Sequence, residues 1–164
     1  MSTERWKPSV TVAAVIEREG RYLLVEEMTP EGLRLNNPAG HLDPGEGLAA
    51  AAAREALEET ACPFEPQALV GVYLARLRRE ATGEDITYLR FAFCGTVGEP
   101  IPGRALDHPV VRTLWLTLAE IRASQARHRS PLLLQCVEDH AAGRRFPLEL
   151  LHAHPSLQDP PLKV

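Results

Sequence analysis

Three glutamates, Glu55, Glu58 and Glu59, stand three and four residues apart in the segment Gly40–Cys62, GHLDPGEGLAAAAAREALEETAC. At 100° per residue that spacing puts all three carboxylates on one face of a helix. Ala50, Ala53, Leu57 and Ala61 then fall on the opposite side, where small side chains would let the helix sit close against a sheet. Carboxylates so placed repel one another. Arg54 is adjacent in sequence but is expected to point away from this face and to reach Glu46 across the preceding loop. That leaves a cation as the natural partner of the three acids, and hard oxygen ligands with positions left for water suit Mg²⁺. A run of acids on a helix can also be no more than a solvated face. The lead-in argues against that, because a Pro38-Ala39-Gly40 turn and a Gly-rich loop with a single glutamate, Glu46, precede the helix.

The elements that must hold this segment can be read around it. Val10–Glu19 and Tyr22–Met28 have strand composition and suggest a hairpin over the turn Gly20-Arg21. Thr29–Gly32 is a second turn. Leu48–Ala61 is rich in strong helix formers, and Pro63 ends it. Leu69–Leu77 and Ile86–Val97 read as strands joined by the polar turn Glu80–Asp85, and Val110–Leu116 as a shorter one after a Pro/Gly-rich loop. Thr117 with Glu120 three residues on is a capping box at the start of a short helix. A last helix is expected over Pro131–Ala142, ending at Gly143, and an irregular tail from Phe146 onward. The reading is one domain over residues 1–164, with a core of about 8–145 and a tail of about 146–164.

Composition bounds the function. With 164 residues, 45% hydrophobic and 24% charged, the chain can bury a core without metal or disulfide support. Eighteen basic against 22 acidic residues give a net charge of −4, which excludes a basic nucleic-acid-binding surface as the main business. Within Gly40–Cys62 there are five acids and one base, so the excess acidity equals that of this one segment. Cys62, Cys94 and Cys136 are far apart and suggest neither a disulfide framework nor a thiolate zinc site. No apolar run is long enough for a signal peptide or a membrane span, so a cytoplasmic protein with no membrane partner is expected.

Gly40, Glu46, Arg54-Glu55 and Glu58-Glu59 fill every charged position of the pattern G-x5-E-x7-R-E-U-x-E-E-x-G-U, in which U is a bulky aliphatic. The segment thus resembles the Nudix box. Ala56 stands where a larger aliphatic is usual, and Ala61 replaces the last glycine. Lys7-Pro8, Val25-Glu26-Glu27, Asn36-x-Pro38-Ala39-Gly40, Arg129-Ser130-Pro131-Leu132 and Arg145-Phe146-Pro147-Leu148-Glu149 extend the resemblance, to the NudJ-type branch of phosphatases, over nearly the whole chain. The resemblance implies an α/β fold, an α/β/α sandwich with a mixed sheet and the Nudix loop–helix–loop. It implies metal ligation by Glu55, Glu58, Glu59 and the Gly40 carbonyl, with Glu46 and Arg54 as an orienting ion pair. Mg²⁺ is the implied cofactor, with Mn²⁺ as a substitute. The implied reaction is attack of water on a phosphoanhydride in nucleoside di- and triphosphates or thiamine-type pyrophosphates. Candidates for the base are Glu55 and Glu59 in the box and, outside it, Asp107 with Glu84 and Asp85 behind it. Arg34 and Arg90 are candidates for binding substrate phosphates, and Trp6, Tyr73, Tyr88 and Phe91 for stacking on a base. A nucleotide-sensing module that binds without cleaving is the alternative to an enzyme.

Overall fold

The computed structural model describes residues 5–162. Two β-sheets form the framework. The first has the strand order β5-β1-β7-β6, built from β1 (Ser9–Val15), β5 (Ala39–His41), β6 (Phe64–Arg79) and β7 (Glu84–Val97). It is mixed: β1 runs parallel to β7 and antiparallel to β5, while β6 and β7 form a long antiparallel hairpin. The second sheet centres on β3 (Arg21–Thr29), which pairs antiparallel with β2 (Glu17–Arg18), β4 (Gly32–Asn36) and β8 (Val110–Thr117).

Side chains alternate across the first sheet, and each face takes a helix. Val12, Ala14, Leu69 and Phe93 pack with Ala51, Ala52 and Ala56 of α1 (Leu48–Thr60). Ala13, Val15, Val70, Ala92 and Cys94 pack on the other face with Leu132, Leu133, Cys136 and Val137 of α3 (Leu132–Ala141). This is the expected α/β/α sandwich. The short α2 (Leu118–Ala123) carries the Thr117–Glu120 capping box read from the sequence. All three cysteines are buried and free.

Three expectations need correction. The first strand is not one arm of a simple hairpin. It leaves the first sheet after Val15, and only β2 pairs with β3, around Glu19-Gly20 rather than Gly20-Arg21. The face of α1 that is buried holds Ala51, Ala52, Ala56, Glu59 and Thr60, not Ala50, Ala53 and Leu57. Glu59 therefore lies on the packed side of the helix. The strands of the long hairpin also extend to Arg79 and back to Glu84, because the Arg79–Glu84 ion pair (2.7 Å) closes the turn between them. The tail from Phe146 is irregular apart from two 3₁₀ turns, and Phe146 exchanges two backbone hydrogen bonds with Leu69.

The β2–β3 turn has positive φ at both central residues, Glu19 (52°) and Gly20 (76°), the geometry for which Asn-Gly is preferred. Glu19 is exposed. Glu19→Asn is expected to stabilise the fold by about 0.5–1 kcal/mol, since asparagine tolerates the left-handed region better. A thermal midpoint raised by about 1–4 °C checks it.

Candidate active site

The box folds nearly as read: β5 takes His41, a loop runs from Leu42 to Gly47, and α1 follows, ending in a left-handed residue, Ala61 (φ 60°), whose N–H bonds the Leu57 carbonyl. Glycine is usual where φ is positive, and alanine here takes that conformation without one.

Arg54 ties the segment together. Its Nε donates to Glu46 Oε2 (2.9 Å) and its Nη2 to Glu46 Oε1 (2.7 Å), the bidentate geometry that best suits a guanidinium and a carboxylate. The expected Arg54–Glu46 pair is thus present. The expectation that Arg54 points away from the acidic face is not met. Its Nη1 also donates to Glu55 Oε1 (2.7 Å) and Glu58 Oε2 (3.0 Å). Being long, the side chain folds back along its own helix to i+1 and i+4. Glu46 is held below the usual carboxylate range by its bond with Arg54, and its Oε1 also accepts from the Asp43 N–H (2.7 Å).

Glu55 and Glu59 face a cleft of about 320 Å³ between α1, the first sheet and the start of α3. Glu59 is only 8% exposed, and its Oε2 accepts from the Ala39 N–H (2.9 Å). Burial pushes its carboxyl up to about 8, and the neighbouring Glu27 and Glu55 charges add to the rise. Burial raises Glu55 as well, against the lowering effect of Arg54. Glu27, on β3, brings a third carboxylate to this end of the cleft. It is 1% exposed and ion-paired with Arg129. Gly40 leaves the room that Glu55 occupies, because a Cβ on it would stand 2.2–2.3 Å from the Glu55 carboxyl group and push it aside. Glu58 instead stays at the outer edge, bonded to Arg54.

The rest of the cleft is basic and aromatic. Arg90, Tyr88 and Thr11 line it from β7 and β1, with His41 beside Tyr88, their ring centroids 6.4 Å apart. Arg76 and Arg79 lie along β6, and Arg129, Ser130, Pro131 and Leu132 lead into α3. Of the two arginines proposed from sequence, Arg90 lies in the cleft wall. Arg34 does not; it bonds the Leu33 carbonyl. Of the outlying base candidates, Asp107 is exposed and docks only its N–H on the Glu58 carbonyl (3.0 Å). Glu84 and Asp85 are taken up by Arg79 and Arg76. Trp6 is largely exposed, and the Tyr73 hydroxyl donates to Asp139 (2.8 Å). Glu27 and Arg129 were quoted only as parts of the resemblance. Nothing in their spacing reveals that a strand and a loop over a hundred residues further on bring them together.

The donor set fits a hard cation. Among the described residues no group of three or more His, Cys, Asp or Glu side chains forms a ready cage. Yet the buried Glu59 and the part-buried Glu55, which repel one another beside the bare Gly40, are oxygen ligands that would gain from a cation.

A loop–helix–loop bearing these acids at the mouth of a basic cleft, on an α/β/α sandwich, defines a Nudix hydrolase. The NUDIX domain family model matches residues 5–136, and the chain belongs to that family. Phosphatase NudJ of Escherichia coli (strain K12) is 34% identical over 146 residues, spanning 89% of this chain and 92% of that protein. A NUDIX hydrolase from Nitrosomonas europaea is 50% identical, with a TM-score of 0.82 over 90% of this chain and 98% of its own. The NUDIX domain of Shewanella oneidensis NrtR complexed with ADP ribose, 17% identical, shares the fold (TM-score 0.60, 85% of this chain and 90% of that one). No helix among the described residues is long and apolar enough to cross a membrane.

Glu59 titrates near 8 in the metal-free fold but near 4.3 when unfolded, so between those values the native state holds more protons. Stability of the metal-free protein should therefore fall as pH rises from about 4.3 to 8, by on the order of a few kcal/mol. Glu59→Gln keeps the Ala39 hydrogen bond and removes the charge. In EDTA it is expected to flatten that decline and to melt above wild type at pH 8, as read by thermal unfolding from pH 5 to 9.

Proposed function

We propose that this hydrolase cleaves a phosphoanhydride bond in nucleoside di- or triphosphates or related pyrophosphates, thiamine-type pyrophosphates included, by attack of water on phosphorus. The observation that carries the reading is that Glu55, placed against Gly40, and Glu59 line one cleft together with four arginines. Acids alone would repel a diphosphate, and arginines alone would bind it without activating water. A cleft with both ends has a use for each. The name of the Escherichia coli relative, a phosphatase, points the same way.

Glu55, Glu59, Glu58 and the Gly40 carbonyl would hold Mg²⁺, with Mn²⁺ as a substitute. The cation supplies charge neutralisation at the phosphoryl oxygens and a lowered pKa for bound water. The chain's own contributions are positional. The Arg54–Glu46 pair fixes the loop to the helix and orients Glu55 and Glu58 from one guanidinium. The Ala39 N–H fixes Glu59 in the cleft lining through Oε2. Proton acceptance from the attacking water falls to the cleft carboxylates Glu55 and Glu59. Both are already held above the usual carboxylate range. Tyr88 and His41 offer a ring surface for an organic group. The three buried free thiols fit a reducing, cytoplasmic setting.

The test is a panel of nucleoside di- and triphosphates, ADP-ribose, dinucleotides and thiamine pyrophosphate in Mg²⁺, with products identified. Glu55→Gln, Glu58→Gln and Glu59→Gln are each expected to lower kcat by about 10² or more while the protein stays folded. Gly40→Ala, which must push the Glu55 carboxylate aside, should cost about 10–100-fold with little change in melting. Unchanged phosphate or pyrophosphate release in Glu55→Gln and Glu59→Gln would overturn the mechanism.

A further inference from the structure

Four arginines line the cleft, and three of them are already neutralised. Arg76 is paired with Asp85 (2.5 Å), Arg79 with Glu31 (3.0 Å) and Glu84 (2.7 Å), and Arg129 with Glu27. Arg90 differs from all of them. It is 6% exposed, yet among the described residues it has no carboxylate partner, and its buried Nε and Nη1 have no hydrogen-bond acceptor. Leaving a buried charge unpaired is costly, so such groups are ordinarily matched by an anion. The neighbouring Cys136 is a poor counter-anion, because burial raises its thiol against the lowering influence of Arg90.

The position of Arg90 follows from the sheet. His41, Thr11, Arg90 and Tyr73 are register partners across β5, β1, β7 and β6. Partners in register share a face. His41, Thr11 and Arg90 thus form one row along the cleft wall, while Tyr73 at the end of the row is anchored on Asp139. Thr11 Oγ1, beside Arg90 in this row, is also buried without a partner, and so is Asn36 Oδ1 in the same cleft. Arg90 and the Thr11 hydroxyl thus bring unmet donors to the wall of this cleft, which suits an anionic group, whereas the Asn36 oxygen can only accept.

We infer that Arg90, aided by the Thr11 hydroxyl, is a phosphate subsite that binds the phosphoryl group not held at the Glu55–Glu59 end. The inference rests on the reading of this cleft as the phosphoanhydride site. It makes the substrate a ligand with at least two adjacent phosphoryl groups, one at the carboxylate end and one on Arg90. Because Arg90 carries its charge independently of any cation, this subsite takes an anion without metal.

The test is calorimetric titration of inorganic pyrophosphate into the full chain in EDTA, with wild type, Arg90→Gln, Arg90→Met and Arg90→Lys. Wild type is expected to bind, and pyrophosphate to raise its melting temperature. Gln and Met should weaken binding at least tenfold, and Lys less. Without ligand, Arg90→Met should melt at or above wild type, whereas a purely structural arginine would make it melt lower. In Mg²⁺ with the best substrate of the panel, the Gln variant should raise KM at least tenfold, with a smaller change in kcat. Equal pyrophosphate binding by wild type and the Gln or Met variant would overturn the subsite. So would no binding and no thermal shift in wild type at millimolar pyrophosphate, a result that stands even if every variant fails to fold. Arg90-dependent pyrophosphate binding with no hydrolysis of any panel substrate would instead leave the subsite standing and remove the proposed reaction. Hydrolysis with KM unchanged in Arg90→Gln would remove the subsite alone.

Discussion

The structure turns on the burial of carboxylates between α1 and the first sheet. Glu59 and Glu27 are almost inaccessible, and Glu55 lies against the bare Cα of Gly40. Desolvation disfavours the charges of Glu55 and Glu59, and neighbouring carboxylates add to the effect at both. A chain selected for stability alone would place amides or aliphatics there. The surrounding sequence is arranged to hold the acids in place. Arg54 clamps Glu46, Glu55 and Glu58, Arg129 clamps Glu27, and the Ala39 N–H takes Glu59. What these contacts do not offset is a standing demand for positive charge at one end of the cleft. A divalent cation held there would meet it.

Small residues make that burial geometrically feasible. Ala51, Ala52 and Ala56 are fully buried on α1 and bring its axis close to Val12, Ala14 and Phe93 of the sheet. Ala56 is fully buried in this contact, so a larger residue there would need matching space in the facing sheet. The departure from the usual box at Ala56 is therefore consistent with the packing. Gly40 works in the same way from the sheet side, by leaving the space that the Glu55 carboxylate fills. Opposite the acids, the cleft holds one arginine without a counterion, so the two ends of the site carry complementary unmet charges.

Much of this was legible in the sequence, and the limits have physical causes. The helix, the Thr117–Glu120 cap, the long strands and the Arg54–Glu46 pair all depend on contacts within a few residues or on strong local propensity. The box residues were legible because their spacing is rigid. The packed face of α1 differs from the expected one because all three acids were set opposite the side that meets the sheet, whereas Glu59 shares the buried side with Ala52 and Ala56. Arg54 was misplaced because helical angle describes Cβ direction, and a side chain of that length can curl back to i+4. Glu27, Arg129 and the solitary state of Arg90 are tertiary facts. They depend on which strands become neighbours and on which arginines find carboxylates elsewhere, and neither has a local signature.

The central claim is that the buried carboxylates at the mouth of the cleft are the cation site. Crystals of the full chain grown with Mn²⁺, with data collected at the manganese edge, test it most directly. The account requires an anomalous peak within about 2.0–2.5 Å of carboxylate oxygens of Glu55 and Glu59 and near the Gly40 carbonyl, the usual range for hard oxygen ligands. It also requires that peak to vanish in the Glu55→Gln, Glu59→Gln double variant. Manganese bound only at exposed acids such as Asp107 or Asp43, with the cleft carboxylates unligated, would contradict it.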